Sequence, residues 1–267
     1  MIAGTAPGSV LVNDRLPLGD LNARPGRPFG SAASDLAIDL SDPVGPDAVT
    51  DVLAACLVDD AGRPVDRAPL WGAPVGDRVA LLVAVAATDM VDTFAVPLRC
   101  PTATCREEIE VELTWTEIAS VARRAARDSF EVRARGTAYR IRRPTGLDQV
   151  RWGAQRASPR DVLADLIEAG PEEGLTPSRM ARLEEALDDH DPLVSFGLDV
   201  VCPSCGEARR HEPSLVAIAA ARFRRIQAQL VDDIHDLART YGWNEAEILG
   251  IPPWRRARYR ALIAASY

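Results

Sequence analysis

Apolar and polar positions follow two different rhythms along this chain, and each change of rhythm marks a new element. From Asp47, "DAVTDVLAACLV" sets Val49, Val52, Leu53, Cys56 and Leu57 on one helical face. "DRVALLVAVAATDM" (77–90) is apolar on all sides, which predicts a buried helix with Asp77 as its cap. The period then drops to two. In "TFAVPLRC", Phe94, Val96 and Leu98 face one way, and in "EEIEVEL", Ile109, Val111 and Leu113 alternate with Glu108, Glu110 and Glu112. "TWTEIASVARRAARD" returns to a helical period, capped by Thr114 or Thr116. "FEVRARGTAYRIRRP" predicts a hairpin turning near Gly136, with Arg133, Arg135, Arg140 and Arg142 on its open face.

Three helical segments come next: "GLDQVRWGAQ", "SPRDVLADLIEAG" with Ser158 as cap, and "TPSRMARLEEALDDHDP". "LVSFGLDVVC" is again strand-like. A long helix then carries Leu215, Ala219, Phe223, Ile226, Leu230, Ile234, Leu237 and Tyr241 as one stripe, ending at Gly242. "NEAEILG" pairs Asn244 with Glu247 as a capping box, and "WRRARYRALIAA" is a last helix beyond Pro252 and Pro253. Residues 1–45 keep neither period and are rich in proline and glycine; they are expected to be a disordered tail or an arm ordered on a partner. "GRPVDRAPLWGAPVGD" (62–77) is expected to be a loop.

The approaches to two cysteine pairs repeat each other. Phe94-Ala-Val96-Pro-Leu98-Arg-Cys100-Pro101 and Phe196-Gly-Leu198-Asp-Val200-Val-Cys202-Pro203 both read Phe-x-apolar-x-apolar-x-Cys-Pro. Each strand delivers a cysteine to its end. A structural zinc site is tetrahedral and takes its ligands in pairs from two short turns. "CPSCGE" has the spacing of such a turn, and Gly206 would let backbone amides approach the sulfur. "CPTATC" is wider by two residues. Cys100, Cys105, Cys202 and Cys205 are therefore the candidate ligands of one structural zinc ion, with the intervening helices inserted in a split zinc ribbon. Two other readings stay open: a redox pair at Cys202/Cys205, or a degenerate site that keeps only some of its thiols. Cys56 lies in an apolar stripe and is expected to be a buried core thiol.

Bulk composition narrows the function. The 267 residues carry a formal net charge of −8, which weighs against a general nucleic-acid binder. All 31 basic residues are arginine, which reads as codon bias before function. No apolar run reaches the length of a membrane span, and the N-terminus lacks the pattern of a signal peptide, so a cytoplasmic location is expected. No nucleophile elbow, phosphate loop or dinucleotide fingerprint is present, and four thiolates would leave zinc no open position. The chain is expected to be no enzyme and to take no small-molecule substrate. Acidic runs such as Glu107/Glu108/Glu110/Glu112 and Asp232/Asp233/Asp236 read as solvated faces. His190 reads as a solvated helix end and His235 as a bystander on the long helix; His211 stands near enough in sequence to the second pair to support it or to replace a ligand.

Three features together resemble a known family: the "CP…C" turn running into "E-x-E-x-x-L", the middle "YRIRRPTGLDQ" (139–149), and the second turn followed by a long helix. The tail "YGWNEAEILGIPPWRRARYRALI" adds an aromatic, an acidic helix ending in Leu, a proline break and Arg-Arg-x-x-Tyr. Over about residues 70–265 the chain is similar to the T4-type bacteriophage baseplate (hub assembly) family of contractile phage tails and contractile injection systems. The resemblance implies a non-enzymatic structural or assembly protein of a baseplate or hub, partnered by other baseplate, hub or spike proteins. It would reside in the bacterial cytoplasm or in the assembled particle. The wide first turn and the long arm depart from the family pattern. Trp243, Trp254, Arg255, Arg256 and Tyr259 have the composition of a partner-binding surface, although both Trp side chains could instead pack in the C-terminal core. The alternative from another class is a zinc-ribbon regulator of nucleic acid acting through Arg133, Arg135, Arg140, Arg142 and Arg143; a thiol-disulfide protein is the third.

The expected fold is α+β, a split zinc-ribbon-like β core with a helical insertion and C-terminal helices. Its segments are an extended arm (1–45), a helical lead-in (46–93), the first zinc turn with strands and hairpin (94–143), the helical insertion (144–193), the second zinc turn (194–212) and a C-terminal helical region (213–267).

Overall fold

The computed structural model describes residues 23–87, 93–125, 128–171 and 174–265. The chain mixes helices with small antiparallel sheets. In order, it forms β1 (Ala23–Pro25), α1 (Pro46–Cys56), β2 (Leu57–Asp59), α2 (Arg67–Gly72), α3 (Val75–Ala87), β3 (Thr93–Arg99), β4 (Glu108–Thr114) and α4 (Trp115–Ala122). β5 (Ser129–Ala134), β6 (Thr137–Arg142), α5 (Gly146–Gln155), α6 (Pro159–Leu166), β7 (Ile167–Ala169) and α7 (Pro177–His190) follow. The chain closes with β8 (Leu198–Val201), β9 (Ala208–His211), α8 (Leu215–Tyr241), α9 (Glu245–Leu249) and α10 (Pro253–Ala264).

Every residue of α3 is buried, as a helix without a polar face must be. α1, α4 and α8 pack around it. The cluster they form also takes in Phe94, Val96 and Leu113 from the first cysteine hairpin and Phe196 beside the second. A separate cluster joins Phe130, Val132, Tyr139 and Ile141 of the β5–β6 hairpin to Leu163, Leu166, Leu183 and Ala186 of α6 and α7. The hairpin thus shares its core with the helices that follow it. Its turn has Arg135 at φ 52° and Gly136 at φ 81°, the pair of positive values a two-residue hairpin turn requires.

Several expectations change. The helix expected through 158–169 stops at Leu166, and Ile167–Ala169 become β7, pairing with β6. α1 likewise ends at Cys56, and Leu57–Asp59 pair with β1. In both places the apolar residues suit either element, and an available strand edge decides. The expected loop at 62–77 holds α2. Asp77 does not cap α3; it lies within the helix. Within the expected arm, residues 23–45 pack on the chain's own body. The Phe29 ring lies tilted against that of Phe223 at 4.8 Å, Arg27 and the Gly30 amide engage the buried Asp35, and Gln227 donates to the Asp35 and Ile38 carbonyls. Residues 1–22 and 88–90 of those expectations lie outside the described residues.

Two buried arginines close the neck between the two clusters. Arg143, just past β6, donates to Asp77 of α3 at 2.6 Å and to Asp191, just past α7, at 2.8 Å. Burial holds the Asp77 carboxyl above its ordinary value even beside this guanidinium. Arg78 donates to the Leu70 and Pro46 carbonyls and to the Thr50 hydroxyl, each at 2.8 Å, and lies over the Trp71 ring. Its burial lowers its pKa to about 10. Glycines make the room: a Cβ at Gly76 would stand 1.8 Å from the Asp191 carboxylate, and one at Gly146 would stand 2.2 Å from the Arg78 guanidinium.

Candidate metal centre

β3 and β4 pair in register from Thr93↔Thr114 to Arg99↔Glu108, and β8 and β9 from Leu198↔His211 to Val201↔Ala208. Each hairpin ends in a cysteine turn, and the two turns close alike. The Cys100 amide donates to the Glu107 carbonyl at 2.8 Å, and the Cys202 amide to the Glu207 carbonyl at 2.9 Å. In the second turn the Gly206 amide returns to the Cys202 carbonyl at 2.9 Å, with Gly206 at φ 72°. In the first turn the Arg106 amide returns to the Thr102 carbonyl at 3.2 Å, with Arg106 at φ 52°. Thr102 thus takes the place of the Cys202 carbonyl, while Cys100 keeps that of its amide. The two extra residues are absorbed ahead of the turn, so Cys105 stands where Cys205 stands and Cys100 approaches from two positions upstream. The wider spacing still brings Cys100 and Cys105 into one cluster with Cys202 and Cys205.

The four sulfurs lie within 4.8 Å of one another. Cys100 Sγ is 3.7 Å from Cys205 Sγ, and Cys105 Sγ is 3.7 Å from Cys202 Sγ. These contacts cross from one hairpin to the other. They far exceed the roughly 2.05 Å of a disulfide, and all four thiols are free. A tetrahedron of thiolates about 2.3 Å from a central ion has edges of about 3.8 Å, so the set could hold a metal ion. Cys100 and Cys202 are buried, Cys105 is half-buried and Cys205 is exposed.

The thiols differ in acidity. Hydrogen bonds from Thr102, side chain and backbone, lower Cys100 to about 7. Cys105 receives the Glu107 backbone hydrogen bond, but burial and the neighbouring thiols outweigh it and push the group up to about 12. A metal ion would bind these sulfurs as thiolates, so metal binding would release protons. Cys56, by contrast, sits alone in the core, and burial raises it to about 12.

The other expected site residues separate. Trp254 is 71% exposed, and Arg255 is exposed beside it. Arg256 points the other way: it is buried, 3.4 Å from Asp233, and donates to the Ile251 carbonyl at 2.9 Å. Trp243 stacks on Tyr241 at 4.7 Å and meets the edge of Tyr259 at 5.3 Å, an aromatic cluster joining α8 to α10. Asp233, expected on a solvated face, is buried between Arg256 and Arg260. His190 ends α7 as expected but is half-buried, its ring 4.0 Å from that of Phe130. His211 pairs with Leu198 in β9 and stands outside the sulfur cluster, and His235 is exposed on α8. Of the hairpin arginines, Arg140 meets Glu168, Arg142 meets Asp148 and Asp165, and Arg143 is the buried neck residue. Sequence patterning missed that neck. The available signal was an Asp-Arg pair inside an otherwise apolar helix.

No family model, curated protein or solved structure matches the chain.

Proposed function

We propose that this chain is a non-enzymatic structural or assembly protein of a contractile-tail or injection-system baseplate or hub, held together by one structural zinc ion. The observation that carries the zinc is the crossing pair of 3.7 Å sulfur contacts between the two hairpins. Four thiolates in a tetrahedron suit zinc, and as a closed set they fit a staple rather than a reaction centre. On this reading the hairpins are the two halves of a ribbon split by residues 115–197, and each half needs the other to complete its ligands.

The baseplate assignment rests on the sequence resemblance, and the roles of its motif residues are compatible with a scaffold. In "RRPTGLD", Thr145 caps α5 with Asp148, Arg142 grips Asp148, Arg143 closes the neck and Gly146 makes room for Arg78. In the closing motif, Arg256 and Tyr259 fasten α10 to α8. Trp254 and Arg255 are left outward and would meet a hub partner. Arg140, Arg142 and Arg143 are engaged in ion pairs, which favours protein docking over the nucleic-acid alternative.

Two measurements test the proposal. Native mass spectrometry and metal analysis should find one zinc per chain, lost in Cys202→Ser; a metal-free, fully folded chain would sink the staple. Co-expression with neighbouring tail proteins should recover a complex that Trp254→Ala/Arg255→Glu weakens, and no complex with any of them would sink the baseplate role.

A further inference from the structure

We propose that the cleft where residues 28–31, α8 and α10 meet is a binding site for a small phosphate- or carboxylate-bearing molecule with an apolar group. The cleft holds about 530 Å³, within the range of small-molecule sites. Gly30, at φ +85°, presses this turn onto α8 so closely that a Cβ there would stand 2.3 Å from Ile226 Cγ2. That contact builds one wall, and α10 builds the other.

Charge selects the ligand. Four arginines and one aspartate line the cleft, although the whole chain has 31 basic residues against 39 acidic ones. Two of the four are already satisfied: Asp233 holds Arg256 and Arg260, and Arg260 also reaches Asp236 at 3.1 Å. Arg225 is different. It is exposed and has no ion pair among the described residues. It sits one turn of α8 beyond Arg222, whose guanidinium lies over the Phe94 ring. Gln229, one turn further on, donates to Asp233 at 3.1 Å and keeps that carboxylate turned toward its own partners. An incoming anion would therefore meet Arg225 without displacing an internal carboxylate. Beside it, Phe29, Ile226, Leu230 and Pro253 offer an apolar wall for the rest of the molecule. A charge-assisted hydrogen bond next to an apolar surface is the pattern by which clefts hold amphipathic anions. None of these residues is a candidate metal ligand, so the site stands or falls independently of the zinc and the baseplate role.

The test is calorimetric titration of the full chain at low salt with phenyl phosphate, phenylacetate and inorganic phosphate. Phenyl phosphate or phenylacetate should bind saturably with a Kd of about 1 mM or tighter. The stronger of the two identifies the anion class. Inorganic phosphate should bind about 10-fold more weakly, because it leaves the apolar wall wet. Arg225→Glu should weaken binding by about 10-fold or more, while Arg133→Glu, on the distant hairpin, should leave it unchanged. Both positions are exposed, so circular dichroism should find both variants folded. Absence of saturable binding by any probe up to about 10 mM, or equal affinity in Arg225→Glu, would overturn the site.

Discussion

Gly76 shows how much of this protein's stability depends on single atoms. In an ordinary helix, replacing Gly by Ala stabilises by about 1 kcal/mol. Here the added Cβ would stand 1.8 Å from Asp191 Oδ1 and 3.2 Å from the Arg143 guanidinium, inside a buried ion triad. Separating such a group costs about 3–5 kcal/mol. Gly76→Ala should therefore lose about 2–4 kcal/mol in a denaturant melt, the difference of those two effects. Gly153→Ala, in α5 with open space around it, should instead gain a few tenths to about 1 kcal/mol. If both variants shifted stability in the same direction, the triad would not be what constrains Gly76. The thiols teach a similar lesson in reverse. Phe94 and Phe196, each six residues before a cysteine, made the kinship of the two turns legible. The equivalence of the Thr102 and Cys202 carbonyls was not legible, because it depends on which carbonyl each amide reaches.

One capping group also joins two elements. Asp148 completes the capping box of α5 with Thr145 and also grips Arg142 of β6, at 3.0 Å from Arg142 Nη2. Burial raises the Asp148 carboxyl, but Arg142 and the Thr145 amide and hydroxyl outweigh it and hold the group below the usual carboxylate range. A depressed carboxyl contributes stability that is present above its unfolded pKa of about 3.9 and lost as pH falls through the folded value. Asp148→Asn should thus cost about 2 kcal/mol near neutrality, and the gap from the parent chain should narrow below about pH 4. A gap that stays constant down to pH 2 would assign the loss to packing rather than charge. Caps of this kind were readable in advance: Thr114, Ser158 and Asn244 all accept the expected backbone amide. Helix ends that turn into strands were not, because Leu57 and Ile167 suit both periods until a neighbouring edge is in place.

Across the chain as a unit, the sulfur cluster brings Cys105 beside Cys202, 97 positions apart, around a segment with its own core. Closing a loop of about 100 residues is worth about 4–5 kcal/mol in the chain-entropy picture. If zinc supplies the tie, chelation should lower the melting temperature. It should also raise hydrogen exchange first at residues 100–107 and 202–207, leaving α3 protected by its apolar surroundings. Re-addition of zinc should reverse both effects. A uniform rise in exchange along the chain would mean that the core itself depends on the metal.

Local order reads directly from the residues, because it depends on neighbours a few positions apart. Periodicity sets the rhythm of helices and strands, capping pairs set helix starts, and repeated approach segments mark the four cysteines as one group. Tertiary structure alone decided what depends on distant partners. It turned Asp77 from an expected helix cap, and Asp233 from a solvated-face charge, into buried ion-pair members, and joined Asp191 to Arg143. It laid residues 29–40 on α8, and it split the tail into Arg256 facing inward and Trp254 facing out. A charged side chain looks the same in sequence whether water or an arginine faces it, and only the fold supplies the arginine.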